Sequence, residues 1–366
     1  MELLIVITII AMLSAMTLVV VGHAQRLARI SATETTIARI DEAVCEMYEG
    51  YMYRRVEAPS NPDPAVSAGN RLLRLYDTVR MEMPNNWEEV VYPPQFGQED
   101  STLRQVYLKV FQQAVVAAGG TAPIIKPYNP SIPNAYDIPS IDIDYSSTSP
   151  HYTIRRNEEA KLLYQVVMNG NPETREMFGD KGIAILDEDG LPCFVDAWGR
   201  PIYFLRWGPG FNGSDRQPNM YKWTGFGEGR CDCGGSGCSG DYSDHWEKKI
   251  SPDNIDVYSD TDPFSVHKMV RERYPDPLDI AGVRKLVAQS GSNPPRAFPG
   301  WFLVPLVYSA GPDGKYDIAT PEIDTAKGGT GRDKLILDPF QREYGAPFGS
   351  DGGELDNIHN HRLGGR

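Results

Sequence analysis

The chain has 366 residues, of which 36 are Lys or Arg and 49 are Asp or Glu, so its formal net charge is −13. An acidic chain without a cluster of basic residues is poorly suited to bind phosphate backbones, so we expect no nucleic-acid partner. Its 35 glycines and 29 prolines predict long loops around a modest core, and its 19 tyrosines are typical of a folded chain rather than a disordered one.

The first predicted element is an apolar segment, MELLIVITIIAMLSAMTLVVVG, which carries one carboxylate, Glu2, and no charge from Leu3 to Gly22. About 20 residues at about 1.5 Å per residue cover about 30 Å, the thickness of the hydrocarbon core of a bilayer. The segment lacks the basic start of a secretory signal and is longer than the apolar part of one, so we predict a retained transmembrane helix. Glu2 at its edge is either a functional group or an interfacial residue that touches lipid headgroups.

The same helix is predicted to continue through residues 23–56, because the first proline after the apolar segment is Pro59. Apolar residues recur along this half at spacings of three and four, and charged residues occupy the opposite face. The apolar set is Leu27, Ile30, Ile37, Ile40, Val44, Met47 and Tyr51, and the charged set is Arg29, Glu34, Arg39, Glu42 and Glu46. We therefore predict one helix of about 50 residues, a membrane anchor over residues 1–22 and amphipathic over residues 23–56.

Residues 57–366, called the head below, carry weaker signals. A Pro/Asn-rich connection is predicted first, followed by a helix within STLRQVYLKVFQQAVVAAGG and a second helix within NEEAKLLYQVVMNG that Gly170 caps. Strands are predicted within GIAILDEDGLPCFVDAWGRPIYFLRWGPG, where WGRP supplies a turn, and within WFLVPLVYSAG. Long loop insertions are expected at about 119–150, 208–263 and 316–350.

Cysteines suggest a first candidate site. There are five, an odd number, so at least one is free or pairs between chains. The stretch RCDCGGSGCSGDYSDH contains Cys231, Cys233, Cys238 and His245. Three sulfurs and one imidazole nitrogen can bind zinc in tetrahedral geometry. The spacing is equally compatible with a disulfide that closes a Gly-rich loop, or with simple loop cysteines.

Carboxylates among glycines suggest a second candidate site. The stretches SAGPDGKYD and SDGGELDNIHNH carry Asp313, Asp317, Asp351 and Asp356. Oxygen ligands on flexible turns are what calcium prefers, although Asp-Gly turns also form without a metal. His359 and His361 could bind a metal too, but we expect the tail that holds them to be solvated. The sequence has no nucleophile elbow and no H-E-x-x-H motif, so we expect no enzymatic activity.

The opening segment resembles the N-terminal segment of type IV pilins and type II secretion pseudopilins. In that family a basic leader ending in Gly precedes an aromatic residue, Thr, Leu, a variable residue and Glu, and MELLIVITIIAMLSAM matches from the variable position onward with Glu2 as the glutamate. DAWGRPIYF (Asp196–Phe204) is similar to a strand entry of the major pseudopilin. YSAGPDGK (Tyr308–Lys315) is similar to the calcium-binding loop there, which implies calcium ligands at Asp313 and Asp356.

The resemblance implies a fold and a function. The fold is α+β and pilin-like: a long N-terminal helix, transmembrane and then amphipathic, packs on a small antiparallel sheet with long loop insertions. The function is structural, as a subunit of a type II secretion pseudopilus or a type IV pilus-like filament. Its partners would be other pilin-like subunits, a prepilin peptidase and an inner-membrane assembly platform.

The same resemblance implies a role for Glu2 and a location for the head. Glu2 would neutralise the amino terminus of a neighbouring subunit and so set the stagger between subunits. Basic residues that flank a transmembrane helix favour the cytoplasmic side, so Arg26 and Arg29 by themselves would place the head in the cytoplasm. A basic leader ahead of Met1 would reverse this, so we expect a single-pass inner-membrane protein with a periplasmic head. The alternative is a membrane-anchored binding or enzymatic head whose site is the Cys/His cluster.

Overall fold

The structure is a computed structural model, and it describes residues 2–57, 63–94, 98–120, 154–178, 182–211, 213–217, 276–279, 302–318 and 356–362. Helix α1 (Glu2–Met52) has 51 residues and is continuous. The prediction of one long N-terminal helix is therefore confirmed. The loop insertions predicted at about 119–150, 208–263 and 316–350 lie mostly outside the described residues.

The second half of α1 packs against the head. Ile37, Ile40 and Val44 are fully buried, and Tyr51 near the end of the helix is 3% exposed. These residues follow the predicted apolar face, because spacings of three and four return to the same side of a helix. The buried face begins one turn later than predicted, because Leu27, the first residue of the predicted apolar set, is 52% exposed.

Within the described residues, the helices that follow are α2 (Pro64–Glu82), α3 (Trp87–Val91), α4 (Thr102–Ala117), α5 (Glu158–Gly170) and α6 (Pro172–Met177). Helices α2 and α3 occupy the segment that was predicted only as a Pro/Asn-rich connection, so these two helices were missed. Helices α4 and α5 lie where helices were predicted.

The predicted capping role of Gly170 is also wrong. Gly170 is the last residue of α5, and the C-cap is Asn171 in an extended conformation. A Cβ on Gly170 would overlap Sδ of Met47 on α1. The glycine therefore permits close packing of α5 on α1.

The described strands form two small antiparallel sheets. One sheet pairs β1 (Ile183–Ile185) with β2 (Pro192–Phe194), and the other has the order β3 (Tyr203–Leu205), β4 (Leu306–Ser309) and β5 (Ile358–His359). A bridge between Val195 and Pro201 links the two sheets across the predicted WGRP turn. Together with α1 these sheets give an α+β arrangement, with the core between α1, α5 and the strands.

Candidate functional site

The first half of α1 is an apolar surface that the described part of the head does not cover. From Ile5 to Val21 every large apolar side chain is at least 52% exposed. The hydroxyl of Thr17 donates to the carbonyl of Leu13 at 2.7 Å, so it does not need water as a partner. By length and composition this helix could cross a membrane. Such a surface is stable only in lipid or against other apolar helices.

Glu2, the predicted assembly residue, is the first residue of α1. Its backbone is helical, and its side chain lies outside the described residues. It therefore lies at the end of the apolar segment that is opposite to the head. The pairing of Glu2 with a neighbouring amino terminus stays a prediction.

The turn Asp196–Arg200 attaches the sheets to α1. The carboxylate of Asp196 accepts hydrogen bonds from the main-chain N–H groups of Trp198 (2.8 Å) and Arg200 (2.9 Å) and from the hydroxyl of Ser309 on β4 (2.8 Å). The N–H of Ala197 donates to Oγ1 of Thr33 on α1 at 3.1 Å. One aspartate thus shapes the turn and fixes it to β4, while Thr33 holds the turn on α1.

Asp313 and Asp356, the predicted calcium ligands, lie next to each other although 43 residues separate them. The N–H of Asp313 donates to Oδ2 of Asp356 at 3.2 Å, and Oδ1 of Asp313 accepts from the N–H of Lys315 at 2.8 Å. Burial and the negative charge of Asp313 raise the pKa of Asp356, and the N–H of Asp313 and the charge of Arg26 act in the opposite direction. The two carboxylates therefore repel each other where they meet.

The loop around these aspartates has oxygen atoms suited to a hard cation. Among the described residues, Oδ1 of Asp356 and Oδ2 of Asp317 are buried and make no hydrogen bond. Asp317 has a left-handed backbone, with φ of +46°. Carboxylate oxygens without a hydrogen-bond donor are the ligands that calcium prefers, so the donor set is compatible with calcium.

Side chains alone do not complete a metal site at this loop. No group of three or more His, Cys, Asp or Glu side chains that could hold a metal is found within the described part of the chain. Asp351 falls outside that part. A calcium ion on Asp313 and Asp356 would therefore also use main-chain carbonyls or water, as calcium commonly does.

The cysteines of the other candidate site, Cys231, Cys233 and Cys238, lie outside the described residues together with His245. The described cysteines, Cys45 and Cys193, are free thiols. Burial is the main factor that raises the pKa of Cys45 to about 12 and that of Cys193 to about 11. Thiols held in the protonated form are poor nucleophiles and poor metal ligands.

The tail expected to be solvated is instead folded into the head. Asn360 donates to the carboxylate of Asp41 on α1 at 2.7 Å, and His361 is 1% exposed. Burial lowers the pKa of His361 to about 3, so the ring is neutral at physiological pH. The tail therefore closes the sheet and joins it to α1, although its strand is too short to produce a recognisable pattern in the sequence.

One feature was not expected from the sequence: a cleft lined by Arg26, Arg29, Trp198 and Asp313 between α1 and the head. Two arginines three residues apart, directly after an apolar segment, were the available signal. The loop that holds Asp313, called the calcium-candidate loop below, contributes this residue to the lining of the cleft. No family model, curated protein or solved structure matches this chain.

Proposed function

We propose that this chain is a structural subunit of a pseudopilus of a type II secretion system or of a type IV pilus-like filament. The observation that carries the proposal is the division of α1 into two halves. From Ile5 to Val21 it is exposed and apolar, and from Ile37 to Tyr51 its apolar face is buried in the head while its charged face stays exposed. A rigid helix that is anchored in the head and apolar beyond it presents one surface to lipid or to copies of itself.

The proposal includes two environments for the apolar half. Before assembly it spans the inner membrane as a single helix, with the head in the periplasm. After assembly the apolar halves of several subunits pack together in the filament centre and exclude water. Apolar helix surfaces of this size are favourable in both environments, because each removes about the same apolar area from water.

Glu2 gives the assembly its register in this proposal. A carboxylate in an apolar bundle is costly unless a positive group neutralises it, and the amino terminus of a neighbouring subunit is such a group. In a medium of low dielectric constant an aligned pair is strongly favoured over a misaligned one. The partners of the chain are then other pilin-like subunits, an inner-membrane assembly platform and the prepilin peptidase that frees the amino terminus.

Substitution of Glu2 tests this role. We expect Glu2→Ala to insert into the membrane like the wild type, measured by resistance to alkaline extraction, but to be lost from sheared filaments. Glu42→Ala is the matched control, because Glu42 is an exposed carboxylate on the half of α1 that packs on the head. Normal incorporation of the Glu2→Ala variant would contradict the assembly role.

The mature amino terminus tests the processing step separately. Peptide mass spectrometry of the native membrane protein should find a peptide that begins three residues before Met1 with an N-methylated aromatic residue. A native peptide that begins at Met1 itself would contradict processing by a prepilin peptidase. It would favour the alternative of a head tethered by an unprocessed anchor.

A further inference from the structure

A cleft of about 440 Å³ lies between α1 and the head, at the level where the apolar segment ends. One wall is the face of α1 that carries Gly22, Arg26 and Arg29. These residues are spaced by four and three, so they lie on one side of the helix. The other wall contains Trp198 from the Asp196–Arg200 turn and Asp313 from the calcium-candidate loop.

The cleft lies at the depth of the lipid headgroups when the apolar segment spans a bilayer. The uninterrupted apolar segment ends at Gly22. Arg26 and Arg29 lie about 6 Å and about 10 Å beyond it along the helix axis. The headgroup layer on each side of a bilayer is about 5–8 Å thick, outside a hydrocarbon core of about 30 Å. Arg26 is therefore within the headgroup layer, and Arg29 lies outside it, where its long side chain can extend back towards the headgroups.

The charges in the cleft favour an anion. Arg26 and Arg29 are exposed, and neither guanidinium makes a hydrogen bond or an ion pair with any described residue. Among the described lining residues the carboxylate is Asp313, which already accepts a hydrogen bond from the N–H of Lys315. The lining itself therefore carries two positive charges and one negative charge. Asp356, next to Asp313, lies close enough to interact with the charge of Arg26 and offsets part of this excess, so Arg29 keeps the positive charge that is less compensated. Guanidinium groups bind phosphate oxygens through pairs of parallel hydrogen bonds.

The wall opposite the arginines is a built structure rather than a loose loop. The guanidinium of Arg200 lies over the ring of Trp198, 5.5 Å from its centroid. A Cβ on Gly314 would lie 2.6 Å from Nη1 of Arg200, so the loop packs tightly on this guanidinium. Trp198 is half-buried and its main-chain N–H is fixed by Asp196. Tryptophan is enriched at membrane interfaces, because its ring is apolar and its indole N–H is polar.

We propose that this cleft binds the phosphodiester of an anionic glycerophospholipid from the leaflet on the side of the head. Arg26 and Arg29 bind the phosphate, Trp198 packs on the headgroup beside it, and Asp313 accepts hydrogen bonds from headgroup hydroxyls. A bound lipid would fix the depth and the orientation of the head on the membrane. The inference depends on insertion of α1 into a bilayer and does not depend on filament assembly.

The test uses the full-length protein in detergent micelles and native mass spectrometry with phosphatidylglycerol or phosphatidylcholine. We expect the wild type to retain phosphatidylglycerol in preference to phosphatidylcholine. The double variant Arg26→Gln/Arg29→Gln should bind phosphatidylglycerol at least about tenfold more weakly, because each basic residue near an anionic lipid surface contributes about one factor of five. The matched control is Arg39→Gln/Arg55→Gln, which removes two exposed arginines outside the cleft and should change binding by less than about twofold.

Several results would overturn the proposal. Equal weakening in both double variants would mean nonspecific attraction to charge, and unchanged binding in Arg26→Gln/Arg29→Gln would remove the cleft from the interaction. Competition by millimolar inorganic phosphate would mean a site for a free anion rather than for a lipid. Alkaline extraction of the wild type from membranes is measured in parallel, so that a failure of membrane insertion is distinguished from a failure of lipid binding.

Discussion

Arg206 and Glu89 form a buried two-point ion pair that joins the segment directly after β3 to α3. Nη2 and Nη1 of Arg206 donate to Oε1 and Oε2 of Glu89 at 2.8 and 2.9 Å, and both side chains have no exposed area. Nη1 of Arg206 also donates to the carbonyl of Met83 at 2.8 Å, and the N–H of Asn85 donates to Glu89 at 2.8 Å. These hydrogen bonds offset part of the free-energy cost of removing the pair from water.

Removal of one partner from this pair should be strongly destabilising. We expect Arg206→Met to lower the free energy of unfolding by about 3–5 kcal/mol, because Glu89 would keep a buried negative charge without a positive charge beside it. Thermal or denaturant unfolding of the full-length protein in detergent measures this. The matched control is Arg362→Met, which breaks the exposed pair with Asp215 and should cost less than about 1 kcal/mol. Equal losses in the two variants would contradict a special role for the buried pair.

This ion pair also explains why α2 and α3 were not predicted from the sequence. Sequence patterns place charged residues on the surface, which is correct for most of them. In this segment Asp77, Arg80 and Glu89 are all buried, with Arg80 paired to Asp77 at 2.8 Å. The apolar periodicity of the segment is therefore interrupted by residues that belong to the core. In α1 the buried side is apolar, so the spacing of its apolar residues was sufficient to predict which face is buried.

The candidate site was also predictable only in part, because local sequence patterns do not encode all of its contacts. The turn at Asp196–Arg200 and the aspartates Asp313 and Asp356 could be found, because Gly, Pro and Asp have local conformational preferences. The pairing of Asp313 with Asp356 could be proposed only through the family resemblance. The short strand β5 has two residues and polar neighbours, so its docking on α1 depends on contacts that no local pattern encodes.

The close approach of Gly311 to Asp356 predicts a second effect on stability. Gly311 has φ of +62°, and a Cβ there would overlap the carbonyl oxygen of Asp356. We expect Gly311→Ala to separate the loop from the tail strand and to destabilise the protein. Gly190→Ala is the matched control, because Gly190 has φ of +74° and a Cβ there would meet no described atom within 4 Å.

The two alanine variants separate backbone strain from steric overlap. Gly190→Ala should cost about 1–2 kcal/mol from the left-handed backbone alone. Gly311→Ala should cost about 1–3 kcal/mol more, since main-chain atoms of Asp356 must move. Unfolding midpoints of the two variants measure the difference. Equal costs would show that the loop moves freely away from the tail.

Calcium should stabilise the protein through Asp313 and Asp356. A cation between the two carboxylates would remove the repulsion that contributes to the raised pKa of Asp356. At a calcium concentration of about 100 times the dissociation constant, the gain is about 2.7 kcal/mol. The expected result is a rise in the midpoint of thermal unfolding with calcium and not with magnesium.

A substitution in this loop tests whether Asp313 is a calcium ligand. Asp313→Asn keeps an oxygen for the N–H of Lys315 but removes one negative charge beside Asp356. We expect it to leave stability without calcium unchanged or slightly higher and to abolish the calcium response. Glu99→Ala, which removes an exposed carboxylate outside the loop, should respond to calcium like the wild type. A full calcium response in Asp313→Asn would contradict this ligand assignment.

His361 should make the protein sensitive to acid. The pKa of its ring is about 3 in the folded protein, because burial disfavours the charged form, against about 6.5 in an unfolded chain. Between these two values the unfolded state binds one proton more than the folded state. The free energy of unfolding should therefore fall by up to about 1.4 kcal/mol for each pH unit below about 6.5. Asp41, Arg216 and His359 face the ring as well, and their charges modify the size of the effect.

Replacement of His361 by a residue that does not titrate isolates this contribution. Nε2 of His361 lies 3.1 Å from the carbonyl oxygen of Pro305, and the amide of a glutamine can donate to the same oxygen. We expect His361→Gln to lose the part of the acid sensitivity that sets in below about pH 6.5, as measured by unfolding midpoints from about pH 7 to about pH 4.5. His23→Gln, at an exposed position on α1, should keep the wild-type slope. If His361→Gln had that slope too, the tail would not be held by a neutral buried ring, and acid would act on the head through its carboxylates instead.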